Sequence, residues 1–333
     1  MDLRDTSISP AEILEINRNK VAVLIPYFGR WPVWIDLYFY SCSRQAGVDF
    51  VFYTDCQLPN REYKNIIFHP ISFGEYCKFV SEQLSIPFRP DNAYKLCDLR
   101  PFYGIIHKKD LERYEWWGFG DIDLVYGDLS LLVNEENLCR YDLLTTHVDR
   151  IAGHFTVIRK ASKYTTLCMR IPNWKLKICD SNHYGMDERD FTRIALTGKY
   201  KCIKKVYQNV FKAFIPPYRK HYFFSQMERI LRAWPSRMLM REFFTTFVPK
   251  PDVTCTFNLE NNDIICPTGQ ITRISSVAGK LYLHFLFFKK TQYLNTDTYW
   301  KENFYQIPRD FDFLQGGIVE INTNHIKIRN EET

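Results

Sequence analysis

No long apolar run interrupts this 333-residue chain. The first twenty residues, MDLRDTSISPAEILEINRNK, are polar and hold nothing like the apolar centre of a secretory leader. Nowhere do about 18 uncharged apolar residues follow one another, the length a membrane-crossing helix needs. The longest candidate, LYLHFLFF over 281–288, is strand-sized and closes on Lys289 and Lys290. Ten cysteines are present, but no CxxC pair and no Cys/His cluster at zinc spacing, which excludes a structural zinc site. They are scattered, mostly inside apolar runs as at Cys42, Cys168 and Cys202, and are expected to be reduced thiols. No internal repeat and no recognised RNA- or DNA-binding motif is present. The expectation is a soluble, cytoplasmic protein.

What is there is a core. Hydrophobic residues make up 46% and aromatics 16%, enough for burial to offset the entropy of ordering the chain and to exclude a disordered protein. Phe (26 copies) and Tyr (21) dominate the aromatics, and a tyrosine face packs well on the apolar face of a pyranose. Such a length allows one large α/β domain, or one domain with a smaller appendage.

VAVLIPYFG, residues 21–29, is a continuous apolar run closed by glycine, the pattern of a strand covered on both faces and hence of a parallel sheet. WPVWIDLYFYSCSRQ has helical spacing, and VDFVFYTD (48–55) is a second strand ending in an aspartate, so the chain opens with β-α-β grammar. A strand over 65–72 leads to the helical FGEYCKFVSEQL and then to the helical AYKLCDLRPFYGIIHKKDLERY. A strand over 115–119 follows. DLLTTH (142–147) and GHFTVIRK (153–160) form paired strands, and DERDFTRIALTG (187–198) is a helix with Gly198 as its stop. Short strands return over 271–276, 280–288 and 317–328.

Charge is uneven. Residues 199–242 carry eleven Lys or Arg against Glu228 and Glu242, a local +9, whereas the whole chain is +6 and the remainder is therefore acidic by three. Phe214, Tyr218, Tyr222, Phe223, Phe224 and Trp234 interleave with these cations. The segment fits peripheral contact with an anionic membrane near a lipid-linked acceptor, or a solvated helical face over core aromatics.

The chemistry-bearing residues centre on YEWWGFGDIDLVYGDL, 114–129. An apolar strand ends in Asp121-Ile-Asp123 and is followed by Gly127-Asp128. Two carboxylates at a strand end suit a hard divalent cation, Mn²⁺ or Mg²⁺; a solvated turn is the plain alternative. His284 sits in a late apolar strand, where an imidazole is costly unless paired or ligating, and the lysines at 289 and 290 behind it suit an anionic leaving group. In AYKLCDLRPFYG, Lys95 and Asp98 lie at i, i+3 on a helix, either as a surface ion pair or, with Arg100, as a grip on nucleotide ribose, base or phosphate. MDERDF opens a helix with Asp187 and Glu188, and Asp190 behind them. Carboxylates in a first turn are favoured by the helix dipole and would equally serve as acceptor-side groups.

In their order these pieces resemble glycosyltransferases of the GT-A fold, and more narrowly the bacterial enzymes encoded with capsule or lipopolysaccharide synthesis. The resemblance runs over roughly residues 20–290. It implies an α/β fold with a Rossmann-like, mixed, mostly parallel sheet flanked by helices and a helical basic appendage. The chain would divide into a polar leader (1–19), a nucleotide-sugar-binding core (20–198), the basic aromatic helical segment (199–250) and C-terminal strands that complete the active site (251–333). It implies that Asp121 and Asp123 are the DxD pair on the metal and ribose, and that His284 is the C-terminal metal ligand. Lys289 or Lys290 would hold the diphosphate, and Pro26, Tyr27 and Phe28 would meet base and ribose. Gly153 and His154 would bring backbone close to the sugar. Asp187 and Glu188 would bind donor sugar or supply the acceptor's base. The chain departs from the HxxGxxKP pattern of some retaining members, and its acidic trio is neither xED nor DQD, so the stereochemical outcome stays open.

The expected activity is metal-dependent transfer of a hexosyl group from a nucleotide diphosphate sugar, a UDP-sugar above all, to a hydroxyl of a glycan or lipid-linked oligosaccharide in surface polysaccharide synthesis. Two further classes stand beside it: a nucleic-acid or membrane binder using residues 199–242, and an inactive sugar-nucleotide-binding module. No motif supports nucleic acid as a partner. A nucleotidyltransferase would need a glycine-rich phosphate loop where VAVLIPYFGR has one glycine.

Overall fold

The computed structural model describes residues 20–147, 150–196, 237–241, 254–265, 281–284, 304–322 and 324–329. Thirteen strands run through them: β1 (Val21–Pro26), β2 (Val48–Thr54), β3 (Ile66–Pro70), β4 (Trp116–Gly120), β5 (Leu124–Tyr126), β6 (Leu143–Thr145), β7 (Phe155–Arg159), β8 (Met238–Met240), β9 (Cys255–Asn258), β10 (Ile264–Ile265), β11 (Tyr282–His284), β12 (Ile318–Ile321) and β13 (Ile326–Arg329).

The main sheet has seven strands in the order β3-β2-β1-β4-β7-β6-β8. β3, β2, β1 and β4 are mutually parallel, β7 runs antiparallel to both β4 and β6, and β8 is parallel to β6. The chain is thus α/β with a mixed, mostly parallel sheet flanked by helices, compatible with a Rossmann-like fold. VAVLI is buried throughout because β1 lies between β2 and β4 and is covered on both faces. Helix α1 (Ile35–Ser43) and the aromatics Tyr38, Phe39, Phe52 and Tyr126 fill one face; helix α2 (Phe73–Leu84) with Tyr76, Leu99, Phe102 and Trp117 fills the other. Each such ring contributes roughly 1.5–3 kcal/mol when fully buried. Ser72 and Glu75 close a capping box at the start of α2, the signal the sequence carries there.

Successive strands run outward from β1 to β2 and β3, while β4 lies on the other side of β1. The strand order therefore reverses between β1 and β4, and open α/β sheets take ligands at the carboxyl ends of such strands.

Several expectations change. AYKLCDLRPF is a 3-10 helix, Ala93–Phe102, continuing into helix α3 (Tyr103–Ile106). MDERDF is a π-helix, Met186–Phe191, entered from Gly185 at φ +62° and followed by helix α4 (Thr192–Ala195). The segment 199–250 is not helical throughout: Met238–Met240 is the sheet-edge strand β8, held because Arg237 grips the Asp142 carboxylate with two nitrogens. The rest of that segment, apart from Arg237 and Arg241, lies outside the described residues, as do the leader, Gly198, the strand expected over 271–276, Lys289 and Lys290. The region expected as strand over 280–288 contains β11, and 317–328 is the hairpin β12-β13. A second, antiparallel sheet in the order β10-β9-β12-β13 packs on the α1 side, and its strands β9 and β10 had no clear sequence signal. The reduced-thiol expectation fails at Cys255, which is disulfide-bonded, whereas the other seven described cysteines are free. No helix among the described residues is long and apolar enough to cross a membrane.

Candidate metal centre

β4 ends at Gly120, and the chain turns through Asp121, Ile122 and Asp123 into β5. That turn is held at its backbone. Asp121 N–H donates to the His154 carbonyl (3.1 Å), continuing the β4-β7 ladder by one residue. The Trp34 indole N–H donates to the Ile122 carbonyl (2.9 Å), and the buried Gln45 side chain bonds Gly127 O (2.8 Å) and Leu129 N (3.0 Å). Asp128, by contrast, caps the short 3-10 helix Leu129–Leu131 and belongs to the frame.

β11 brings the third group. It pairs antiparallel with β5, His284 opposite Leu124, so the imidazole arrives beside Asp123. Gly127 N bonding Leu281 O (3.0 Å) and Tyr282 Oη bonding Thr146 Oγ1 (2.5 Å) lock the register. His284 Nε2 lies 3.5 Å from Asp123 Oδ2 and 4.0 Å from Asp121 Oδ2. One ligand atom from each of Asp121, Asp123 and His284 falls within 4.8 Å of the others, and Asp123 and His284 are buried. Two carboxylates and an imidazole converging at this spacing fit a divalent cation, and the cluster could hold one.

Behind the cluster a second set of charges is arranged around Arg100. Its Nη2 pairs with Asp121 Oδ1 and its Nη1 with Asp187 Oδ2 (2.8 Å). Burial opposes the charge on Arg100, but the carboxylates of Asp121 and Asp187 outweigh it and hold the guanidinium protonated. Gly153 packs directly against this pair. A Cβ built there would stand 2.6 Å from Asp187 Oδ2 and 2.8 Å from Arg100 Nη1. Glu188 accepts from Gly153 N–H (3.2 Å) and meets Arg150 at 3.5 Å, partly exposed. His154 stacks on His284 (4.5 Å between ring centres) and meets His147 edge-on (4.9 Å). Burial first, and then the neighbouring imidazoles of His284 and His147, hold His154 well below the usual histidine range, so it is neutral.

Several sequence-predicted residues therefore converge: Asp121, Asp123, His284, Arg100, Gly153, His154, Asp187 and Glu188. Others do not. Lys95 and Asp98 are neither a surface pair nor open to a nucleotide. They meet (3.0 Å) because a 3-10 helix eclipses i and i+3, and the 177–186 segment laid over them buries the ion pair fully. Lys95 Nζ donates to the carbonyls of Lys177 (2.6 Å) and Asn182 (2.5 Å), while the Asp98 carboxylate accepts from Tyr184 N (3.0 Å) and Met186 N (3.0 Å). The pair is a clamp that fixes the chain just before Asp187. Phe28 also turns inward, against Phe73 and Tyr76, and is core. Pro26 and Tyr27 do sit at the carboxyl end of β1; the Tyr27 ring stacks on Trp31 (5.2 Å, 7° between planes) and its hydroxyl donates to Arg30 O.

Residues not assigned from sequence complete the surroundings. Asp55, one residue past β2, accepts from Gly29 N–H (2.7 Å) and joins the β1 loop to the β2 loop. The aspartate ending VDFVFYTD was the available signal. Trp34 and Gln45, which pin the acidic turn, lie in or beside a helix whose sequence shows only helical spacing.

The chain matches the model of a family of unknown function, DUF6625, over residues 23–315, and belongs to that family. A search of curated proteins returns no match.

Proposed function

We propose that this DUF6625 member is a metal-dependent glycosyltransferase of GT-A type, moving a hexosyl group from a nucleotide diphosphate sugar, a UDP-sugar first among candidates, to a hydroxyl of a glycan or lipid-linked oligosaccharide. The observation that carries the reading is the convergence of Asp121, Asp123 and His284 at the carboxyl ends of β1 and β4, where the strand order reverses. Asp121, Asp123 and His284 would hold Mn²⁺ or Mg²⁺. Bound there, the cation would supply charge compensation for a departing diphosphate.

The chain's own residues divide the remaining work. Arg100 keeps Asp121 and Asp187 in one orientation by bonding both. Tyr27 with Trp31 offers a rigid aromatic edge beside the β1 end, suited to base and ribose. Asp187 is bound by a guanidinium and buried, which suits orientation of the donor sugar and not proton abstraction. Glu188 is the more exposed carboxylate and is the group to take the acceptor's proton if the outcome is inverting. A retaining outcome needs no strong base, because the leaving phosphate can accept that proton. Synthesis of a surface polysaccharide at the inner face of the membrane belongs to the same proposal, as does contact of the 199–242 segment with anionic lipid.

Differential thermal unfolding with Mn²⁺, UDP and both together tests the reading. UDP is expected to stabilise the protein only when Mn²⁺ is present, and a panel of UDP-sugars with Mn²⁺ should release UDP from at least one. UDP stabilisation that is indifferent to Mn²⁺, or no UDP effect at all, would sink the assignment.

A further inference from the structure

The Lys95–Asp98 clamp also builds a surface. Asp98 holds Tyr184 N and Met186 N, Lys95 holds the Asn182 carbonyl, and Asp180 Oδ1 accepts from Asn182 N–H (2.7 Å), so the 180–186 segment is tied at nearly every step. The segment carries His183, partly exposed with Nε2 3.8 Å from Asp98 Oδ1, and half-buried Tyr184. Tyr94, at the start of the 3-10 helix, is 64% exposed and packs its ring against His183 (4.8 Å between centres, 51° between planes). The Nζ atoms of Lys95 and Lys177 stand 5.0 Å and 5.8 Å from the centre of the Tyr184 ring. Tyr94 is the well-exposed ring of the three, and all stand on backbone that is already fixed, so little further ordering is needed to use them.

We infer that Tyr94, His183 and Tyr184 form a carbohydrate platform that seats a neutral oligosaccharide acceptor; the acceptor role rests on the glycosyltransferase reading. Three observations carry it. First, the segment runs directly into Asp187 and Glu188, and Tyr94 lies on the same 3-10 helix as Arg100, about 12 Å along it at ~2 Å per residue. A short glycan lying on the rings could therefore reach the carboxylates beside the metal cluster. Second, stacking on the apolar face of a pyranose needs a flat, exposed, rigid aromatic, which Tyr94 supplies with its ring held against His183, while half-buried Tyr184 offers an edge beside it. Third, the charge here is already matched. Lys95 is paired with Asp98 and Lys177 with Asp190 (2.6 Å), so the two cations at Tyr184 are neutralised, and the platform suits an uncharged sugar better than a phosphate headgroup.

The test titrates the full-length protein with maltohexaose, cellohexaose and chitohexaose by saturation-transfer NMR, and with phosphatidylglycerol vesicles by co-sedimentation. At least one hexasaccharide is expected to bind. Tyr94→Ala should weaken that binding about fivefold or more, while Tyr94→Phe, which keeps the ring, stays within about twofold. Equal binding by wild type and Tyr94→Ala, no binding of any of the three glycans, or Tyr94-dependent binding to vesicles instead would overturn the inference. A parallel titration with UDP and Mn²⁺ reports on the donor side separately. UDP binding without a glycan response removes the platform and leaves the proposed function. Tyr94-dependent glycan binding without UDP binding removes the acceptor role along with that function.

Discussion

His284 Nε2 lies 3.5 Å from Asp123 Oδ2, a contact between a late strand and the turn after β4 made by the β5-β11 pairing. Both side chains are almost fully buried, so neither is a casual surface neighbour. The metal assignment depends on this relationship, and substitution tests it most directly. Saturating Mn²⁺ should raise the wild-type Tm by about 5 °C or more, since ligand at a hundred times Kd contributes about 2.7 kcal/mol. Asp123→Asn and His284→Ala should each lose most of that rise in scanning calorimetry. A full Mn²⁺ response in both variants would remove the cluster from consideration.

Arg100 holds two carboxylates, one from the metal cluster and one from the π-helix. Arg100→Met leaves Asp187 buried without its cation and is expected to cost about 3–5 kcal/mol in urea unfolding. Pairing it with Asp187→Leu removes the stranded charge and should restore most of the loss. Equal destabilisation in the single and double variants would mean that packing, and not the ion pair, accounts for the effect.

Gly153 is required for space, not for a left-handed backbone. Its Cβ would enter the Arg100–Asp187 contact at less than 3 Å from both partners. Gly153→Ala should therefore displace that pair, and with the proposed activity in hand should lower turnover about 10- to 100-fold, the scale of an ångström-sized misplacement. Far-UV circular dichroism should be unchanged. Wild-type turnover in this variant would show that the pair can move without consequence.

His107 gives a pH prediction. It is wholly buried, bonds the Tyr76 hydroxyl through Nε2 (2.9 Å), and burial holds it below the ordinary histidine value despite the neighbouring Asp110. The folded protein thus resists a proton that the unfolded chain accepts from about pH 6.5 downward, and stability falls as pH drops through that range. His154 acts in the same direction. Asp110, whose carboxyl is lowered first by its bond to His107, keeps its contribution above the ordinary aspartate value and does not act in this window. The Tm should be lower at pH 5.5 than at pH 7.5, and His107→Gln should narrow the difference. An unchanged difference in that variant would place the pH response elsewhere.

Much of the site was legible because its strands are. The continuous runs before Pro26 and Asp121 mark strands covered on both faces, and their ends are where a parallel sheet exposes ligand groups. His284 stood out because an imidazole in LYLHFLFF needs a partner. Lys95 and Asp98 were harder. Their spacing fits a surface ion pair on an α-helix as well as a ligand grip, and only the 3-10 winding with the 177–186 segment laid over it makes them a buried clamp. Phe28 was similarly ambiguous, since a strand-end aromatic can face ligand or core, and α2 decides which. The short strands β9 and β10 leave too few residues for a periodic signal.

The sequence by itself determined the α/β class, the parallel run of early strands, the acidic turn after β4 and the mature list of metal-ligand candidates, because local hydrophobic pattern and the cost of burying unpaired polar groups act residue by residue. Tertiary structure decided which candidates meet. The β5-β11 register carries His284 to Asp123, the β4-β7 ladder sets His154 against the turn, and the 3-10 and π-helices bring Arg100 to Asp187. Contacts between residues so far apart in the chain have no local pattern to announce them, since they exist only once the core has packed.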